Sequence, residues 1–327
     1  MGVKHKVKRT LDVEKGIVIT EAFDDFIAEK IALGLSKDTL RNYKQSFKQF
    51  MEFNDFDEVE KTDAIDKNIF FHWIGDMRLE GVRDTSVNHY LRDLRAFCYW
   101  CMEDGRNYIT PFKIDMVKVQ EEDYKEKMFT DDEIDKLLVK PKARDSYATW
   151  RMWTMINWVL ATGNRAATMC NIKIGDIDFK SGKVRLTHTK SKKAGNAVLT
   201  PALKTAVMEY IKMWKRDAND SDWLFTNIGE EKLTTNAQRH SFRRYATSRE
   251  VEKYNIHGLR HNYAKEFYLN GGREFELQES LGHANIEMTR HYIKLLIGDI
   301  AEGIERVSPL DVRKRATSRT QRVKRTN

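Results

Sequence analysis

This chain of 327 residues has little that suits an oxidising or membrane environment. Its three cysteines, Cys98, Cys101 and Cys170, are too few and odd in number for a disulfide framework, and fit a reducing compartment. Cys98 and Cys101 have the spacing of a redox or zinc pair. They lack a second Cys/His pair and sit inside an apolar helical pattern, so core packing is expected. No run of 18 apolar residues occurs, which excludes a transmembrane helix from the expected elements. The opening MGVKHKVKRTLDVEKG lacks the apolar stretch of a secretory signal, and Lys6 stands where a myristoylation motif requires Ser or Thr. A cytoplasmic location is expected. There is no GxxxxGK[ST] loop for a nucleoside triphosphate and no metal-ligating His/Cys set, so no cofactor is expected. Acidic charge is in deficit: 49 Asp and Glu face 57 Lys and Arg, a net +8. Such an excess suits a polyanion, and nucleic acid rather than a membrane is the expected partner.

Only 4 prolines and 17 glycines interrupt a chain that is 41% hydrophobic, so the composition leans towards helix and allows sizeable cores. Residues 1–17 read as a basic flexible leader. Four amphipathic helices are predicted in the block 18–108. Phe23, Phe26, Ile27, Ile31 and Leu33 mark the first, and Leu40, Tyr43, Phe47 and Phe50 the second, capped by Ser36. Ile69, Trp73, Ile74 and Met77 mark the third. Thr85 is the predicted cap of the fourth, with Val87, Tyr90, Leu91, Leu94 and Phe97 on its apolar face. Two of these helices carry basic stripes opposite the apolar face: Lys37, Arg41, Lys44 and Lys48 on the second, and Asn88, Arg92 and Arg95 on the fourth. Both are candidate contacts to a DNA backbone.

Residues 109–126 read as a linker. A new unit opens at Thr130, an N-cap with Glu133 at N3, followed by a Trp-rich segment near 147–161 in which Trp150, Trp153 and Trp158 are expected in the core. Over 172–200 the apolar period shortens to two, with turn signals at Lys180-Ser181-Gly182 and Lys193-Ala194-Gly195. That pattern predicts a small three-stranded antiparallel sheet. Helix resumes from Pro201. An apolar segment marked by Leu295, Leu296, Ile300 and Ile304 follows, then a basic tail, 309–327.

Within the second block the reactive residues form an ordered series. Arg165 follows a Thr-Gly break and Lys190 falls in a predicted hairpin. His257 and Arg260 lie one helical turn apart in HGLRH, His283 follows a glycine in LGH, and Tyr292 comes nine residues later. A phosphodiester transition state spreads negative charge over its non-bridging oxygens, which guanidinium forks match in geometry and charge. A lysine among cations can protonate a leaving alkoxide, histidines can donate to phosphate or accept a proton, and tyrosine can attack covalently. Together they compose a phosphoryl-transfer site in which cations take the place of metal ions.

With this series the chain resembles the tyrosine recombinase (phage integrase) family. The resemblance implies a SAM-like, four-helix core-binding domain at 18–108 and an α-rich catalytic domain at 127–308, in a mainly α, C-shaped clamp on DNA. It implies that Arg165 and Arg260 hold the scissile phosphate, Lys190 is the general acid, His257 assists proton transfer, His283 bonds a non-bridging oxygen, and Tyr292 forms a 3′-phosphotyrosyl link. Site-specific recombination through a Holliday junction follows, without metal or ATP, by a homo-tetramer on two DNA sites that is monomeric away from DNA. Accessory DNA-bending proteins are possible partners. The family's C-terminal segment implies docking of residues 295–306 onto a neighbouring protomer. A type IB topoisomerase-like enzyme and an inactive DNA-binding regulator are the alternatives. One departure stands out: Thr168 replaces the family's acid three residues after the first arginine, leaving support to another group such as Asp176. His261 and His291 are expected to be structural or DNA-facing, and Tyr263 and Tyr268 to lie in the core.

Overall fold

The computed structural model of the protein describes residues 16–118, 128–187, 195–297, 308 and 310. The chain divides into two compact units, Met1–Glu121 and Glu122–Asn327. The leader before residue 16, Lys190, residues 298–306 and nearly all of the basic tail lie outside the described residues.

The first unit holds four helices: α1 (Ile19–Ala32), α2 (Lys37–Phe53), α3 (Lys67–Leu79) and α4 (Asp84–Met102). Its core is aromatic. Phe23 stacks on Phe47 with ring centroids 3.7 Å apart, and Phe97 meets both rings edge-on, an arrangement favoured by the ring quadrupole. Ser36 caps α2 as predicted, accepting from the Thr39 N–H. The predicted cap at Thr85 is displaced. The residue before α4 is Arg83, whose side chain makes no capping bond, and Thr85 lies inside the helix. On α1 the buried set, Ile19, Ala22, Phe23, Phe26 and Ile27, ends one turn early. Ile31 and Leu33, read as part of the apolar face, are 57% and 66% exposed because the last turn outruns the aromatic cluster. Cys98 and Cys101 are fully buried, and burial raises both thiols, Cys101 to about 12, so they act as small core hydrophobes.

The segment expected to form a linker begins as part of this unit. Ile109 and Ile114 are buried in its core. The Asn88 side chain clasps Val117, donating to its carbonyl and accepting from its N–H, both at 2.8 Å.

The second unit holds α5 (Asp131–Leu138), α6 (Tyr147–Thr162), α7 (Ala166–Met169), α8 (Pro201–Trp214), α9 (Thr235–Thr247), α10 (Ile256–Leu269), α11 (Glu274–Leu281) and α12 (Ile286–Ile297). A sheet of β1 (Ile177–Asp178), β2 (Lys183–Leu186) and β3 (Gly195–Val198) is antiparallel throughout, in the order β1-β2-β3. Gly195, read as a turn residue, pairs with Leu186 as the first residue of β3. Thr130 and Glu133 form the expected capping box at α5. Helix α6 is the axis of this unit: Trp150, Trp153 and Trp158 are all buried, and 10 of its 16 residues are enclosed, which explains its lack of a polar face.

Candidate active site

Two left-handed glycines shape the site. Gly163 ends α6 with φ of 64°, and a Cβ there would sit 2.4 Å from the Tyr263 ring. Only glycine fits this turn both conformationally and sterically. The chain then reverses, placing Arg165 at the N-cap of α7. Gly282 ends α11 with φ of 60° and hands the chain to His283. A short polar relay joins these two turns. The Tyr263 hydroxyl lies 2.6 Å from Ser280 Oγ, which donates to the Thr162 carbonyl at 2.8 Å.

Helix α10 crosses between them, started by Asn255, whose side chain accepts from the Gly258 N–H. Although it carries a polar sequence, it buries Arg260, His261 and Asn262 in succession. Asn262 both accepts from and donates to the backbone of Phe129, at 2.8 and 2.7 Å, anchoring the chain ahead of α5. Arg260 is 4% exposed. Its Nη1 donates to the Gly163 carbonyl at 2.6 Å. Its Nη2 donates to the Leu281 carbonyl at 2.8 Å and to His283 Nε2 at 3.1 Å. Arg165 Nη1 donates to the carbonyls of Leu281 and Gly282, at 3.2 and 3.4 Å. The Leu281 carbonyl therefore receives both guanidinium groups, and His283 sits against them. A buried cation needs such acceptors, and the glycine turns present their carbonyls because their helices end there.

His283 is neutral in these surroundings. Burial, then Arg260, then Arg165 pull its pKa down to about 4. Its Nδ1 lies 2.9 Å from the hydroxyl of Thr289, a fully buried residue of α12. His257 is exposed in the first turn of α10, three residues before Arg260. The fold thus gathers Arg165, Arg260 and His283 through direct or shared hydrogen bonds, with His257 on the same helix as Arg260. Lys190 lies outside the described residues. The backbone of Tyr292 lies in α12; its side chain, like that of His291, is outside the described residues.

The suggestion that Asp176 replaces the acid missing at Thr168 is corrected. Asp176 Oδ1 accepts from Nε and Nη2 of Arg185, and its Oδ2 from the Lys173 N–H. Arg185 stands on β2, and among the described residues the carbonyls of Gly163, Leu281 and Gly282 accept from the arginine pair. His261, 7% exposed, is structural, and Tyr263 and Tyr268 pack with Leu277, Leu281 and Ile293.

The two basic stripes of the first unit differ. Lys37, Arg41, Lys44 and Lys48 are all exposed on α2, with Arg41 and Lys48 in surface ion pairs to Asp38 and Glu52. On α4, Asn88 is committed to Val117, Arg92 is drawn to His89 and Asp93, and Arg95 lies over the Tyr99 ring. On the fourth helix Asn88 is therefore spent on an internal contact, while Arg92 stays exposed. A basic face on α9 was missed by the sequence reading: Arg239, His240, Arg243 and Arg244 are exposed around a helix whose buried side is Gln238, Phe242, Tyr245 and Ala246. Its signal was present in QRHSFRRYAT, where cations recur one turn apart.

Comparison with known proteins agrees with this architecture. Residues 127–297 match the model of the phage integrase family, and residues 21–105 match that family's N-terminal SAM-like domain. The chain belongs to the phage integrase family. It is an enzyme of the tyrosine recombinase type. Tyrosine recombinase XerC of Thermodesulfovibrio yellowstonii is 27% identical over 289 residues, covering 86% of this chain and 93% of the relative. Among solved structures, the Tn1549 transposon integrase with a circular intermediate DNA aligns with a TM-score of 0.67 at 18% identity, over 84% of this chain and 95% of that one. A lambda integrase dimer bound to a core site aligns with a TM-score of 0.66 at 17% identity, over 85% and 95%. These likenesses concern the fold: a SAM-like helical domain followed by a mostly helical catalytic domain with a small antiparallel sheet.

Proposed function

We propose that this integrase-family enzyme cleaves and rejoins double-stranded DNA at specific sites through a 3′-phosphotyrosine intermediate. The observation that carries the reading is the convergence of Arg165, Arg260 and His283 at two glycine-closed helix ends, one turn of helix from His257. Oriented donors fixed before the reaction stabilise developing charge without reorganisation at the moment of reaction. In this reading Arg165 and Arg260 hold the non-bridging oxygens of the scissile phosphate, and His283 donates to one of them. His257 takes the proton from Tyr292 as its oxygen attacks phosphorus. The P–O5′ bond breaks, and Lys190 protonates the departing 5′-oxygen. The phosphotyrosyl ester retains the energy of the phosphodiester, so a 5′-hydroxyl from another strand reverses the step without ATP. Two such exchanges, through a Holliday junction held by a tetramer on two DNA sites, complete recombination.

The exposed cations of α2 and the face of α9 supply backbone contacts in this scheme, giving affinity that falls with salt. The test is incubation with a nicked suicide substrate in EDTA. The wild type is expected to give a covalent protein–DNA adduct that Tyr292→Phe does not form. Equal adducts from the two, or dependence of the adduct on a divalent metal, overturn the reading.

A further inference from the structure

His283 stands between two partners of different character. Arginine can only donate, so Nε2, which faces Arg260 Nη2 at 3.1 Å, must present its lone pair there. A neutral ring then carries its proton on Nδ1, which donates to Thr289 Oγ1 at 2.9 Å. A phosphate oxygen at Nε2 demands the reverse: it is an acceptor, and His283 binds it only with the proton on Nε2. The ring must therefore exchange tautomers between the DNA-free and the phosphate-bound site.

We propose that Thr289 is the positioning residue that permits this exchange. A hydroxyl both donates and accepts, and its hydrogen rotates to suit. With phosphate absent, Oγ1 accepts from Nδ1–H. With phosphate present, Nδ1 releases one proton to water and Nε2 takes one from water, the ring stays neutral, and the Thr289 hydroxyl turns to donate to Nδ1. A carbonyl or carboxylate in the same place would hold the ring in the Nδ1–H form, since neither can donate in its ionised or amide state. Burial, with Arg260 and Arg165, brings the His283 pKa down to about 4 in the DNA-free site, so the ring enters the exchange neutral at neutral pH. Thr289 is fully enclosed, as a hydroxyl that must not be captured by solvent requires, and it lies one turn before Tyr292 on α12. The same bond thus ties the nucleophile-bearing helix to the arginine-held histidine.

This inference rests on the strand-transfer reading for its activity arm, but it also has an arm that does not. Nitrogen-15 NMR of the full-length protein, with His283 assigned through His283→Gln, reports the tautomer directly. Without DNA the Nδ1–H form is expected. With a nicked DNA site and orthovanadate as the phosphate mimic, the Nε2–H form is expected. In the activity arm, Thr289→Val keeps the shape and removes the hydroxyl. It is expected to bind DNA like the wild type and to stay folded, melting somewhat lower because Nδ1–H loses its acceptor, yet to form adduct roughly 10- to 100-fold more slowly, the range seen when an orienting partner is removed. Thr289→Ser, which restores the hydroxyl, is expected to recover most of that loss. An Nε2–H signal in the DNA-free protein, an unchanged tautomer with vanadate, or adduct formation by Thr289→Val at the wild-type rate overturns the proposal. If the wild type forms no adduct at all, the strand-transfer reading falls, and the NMR arm still decides the role of Thr289.

Discussion

On α2 of the first unit, Lys37, Arg41, Lys44 and Lys48 stand in solvent with at most a surface ion pair apiece. In the second unit, Arg260 is 4% exposed and Arg151 3%, each threaded onto oxygens. The same residue class thus serves two physical ends. Exposed cations keep their hydration and their rotamer freedom, so they attract a polyanion from any direction and are screened by salt. Enclosed arginines have lost both, and they hold one geometry because buried oxygens fix them: the carbonyls of Gly163 and Leu281 for Arg260, and the Thr226 carbonyl with the Ser241 hydroxyl for Arg151. In the proposed function, affinity and chemistry draw on similar residues at opposite levels of burial.

The contrast can be broken at several points. Replacing Arg260 with Lys keeps the charge and loses the fork that bridges Gly163, Leu281 and His283. Adduct formation is expected to fall about 10²- to 10³-fold, while DNA affinity by filter binding changes little. A large affinity loss with normal cleavage would reverse the assignment of roles. Gly163→Ala strains a φ of 64° and drives a methyl into the Tyr263 ring. A loss of about 2–4 kcal/mol in denaturant unfolding is expected, larger than for the same change at Gly34, where a Cβ meets nothing within 4 Å.

The half-buried His283 adds a pH signature. Its folded pKa of about 4 lies below the ordinary 6.5, so the unfolded chain binds the proton first. Its contribution to stability is complete above pH 6.5 and is lost as pH falls towards 4. His283→Gln should flatten that part of the stability–pH profile relative to wild type. Asn88→Ala removes both bonds to Val117 and is expected to cost about 1–2 kcal/mol of stability with no change in the salt dependence of DNA binding. Lys44→Gln on α2 is expected to do the opposite: negligible loss of stability, and a log–log salt slope shallower by about 0.9. If Asn88→Ala altered the slope and Lys44→Gln did not, the division between spent and available faces would be wrong.

Much was legible before any coordinates. Amphipathic spacing predicted α1 to α4, the Ser36 and Thr130 caps are local hydrogen-bonding signals, and the period-two stretch over 172–200 marked the sheet. The order Arg165, Lys190, His257, Arg260, His283, Tyr292 was readable because phosphoryl transfer demands those chemical types. What the sequence did not show depended on distant residues. Arg92 and Asn88 look alike on a helical wheel, but one is exposed and the other holds a strand of chain 29 residues away. Asp176 looked available until Arg185, nine residues on, took it. The basic face of α9 was passed over because only the packed core reveals which side of that helix is left to solvent.

Sequence by itself determined the helical class, the residue types of the site and the family, because those depend on local periodicity and on spacing along the chain. Tertiary structure alone decided that the carbonyls of Gly163, Leu281 and Gly282 accept from the two arginines, and that Thr289 meets His283. Those contacts join positions up to 117 residues apart, and hydrogen-bond geometry at that separation is set by packing, which no local pattern encodes.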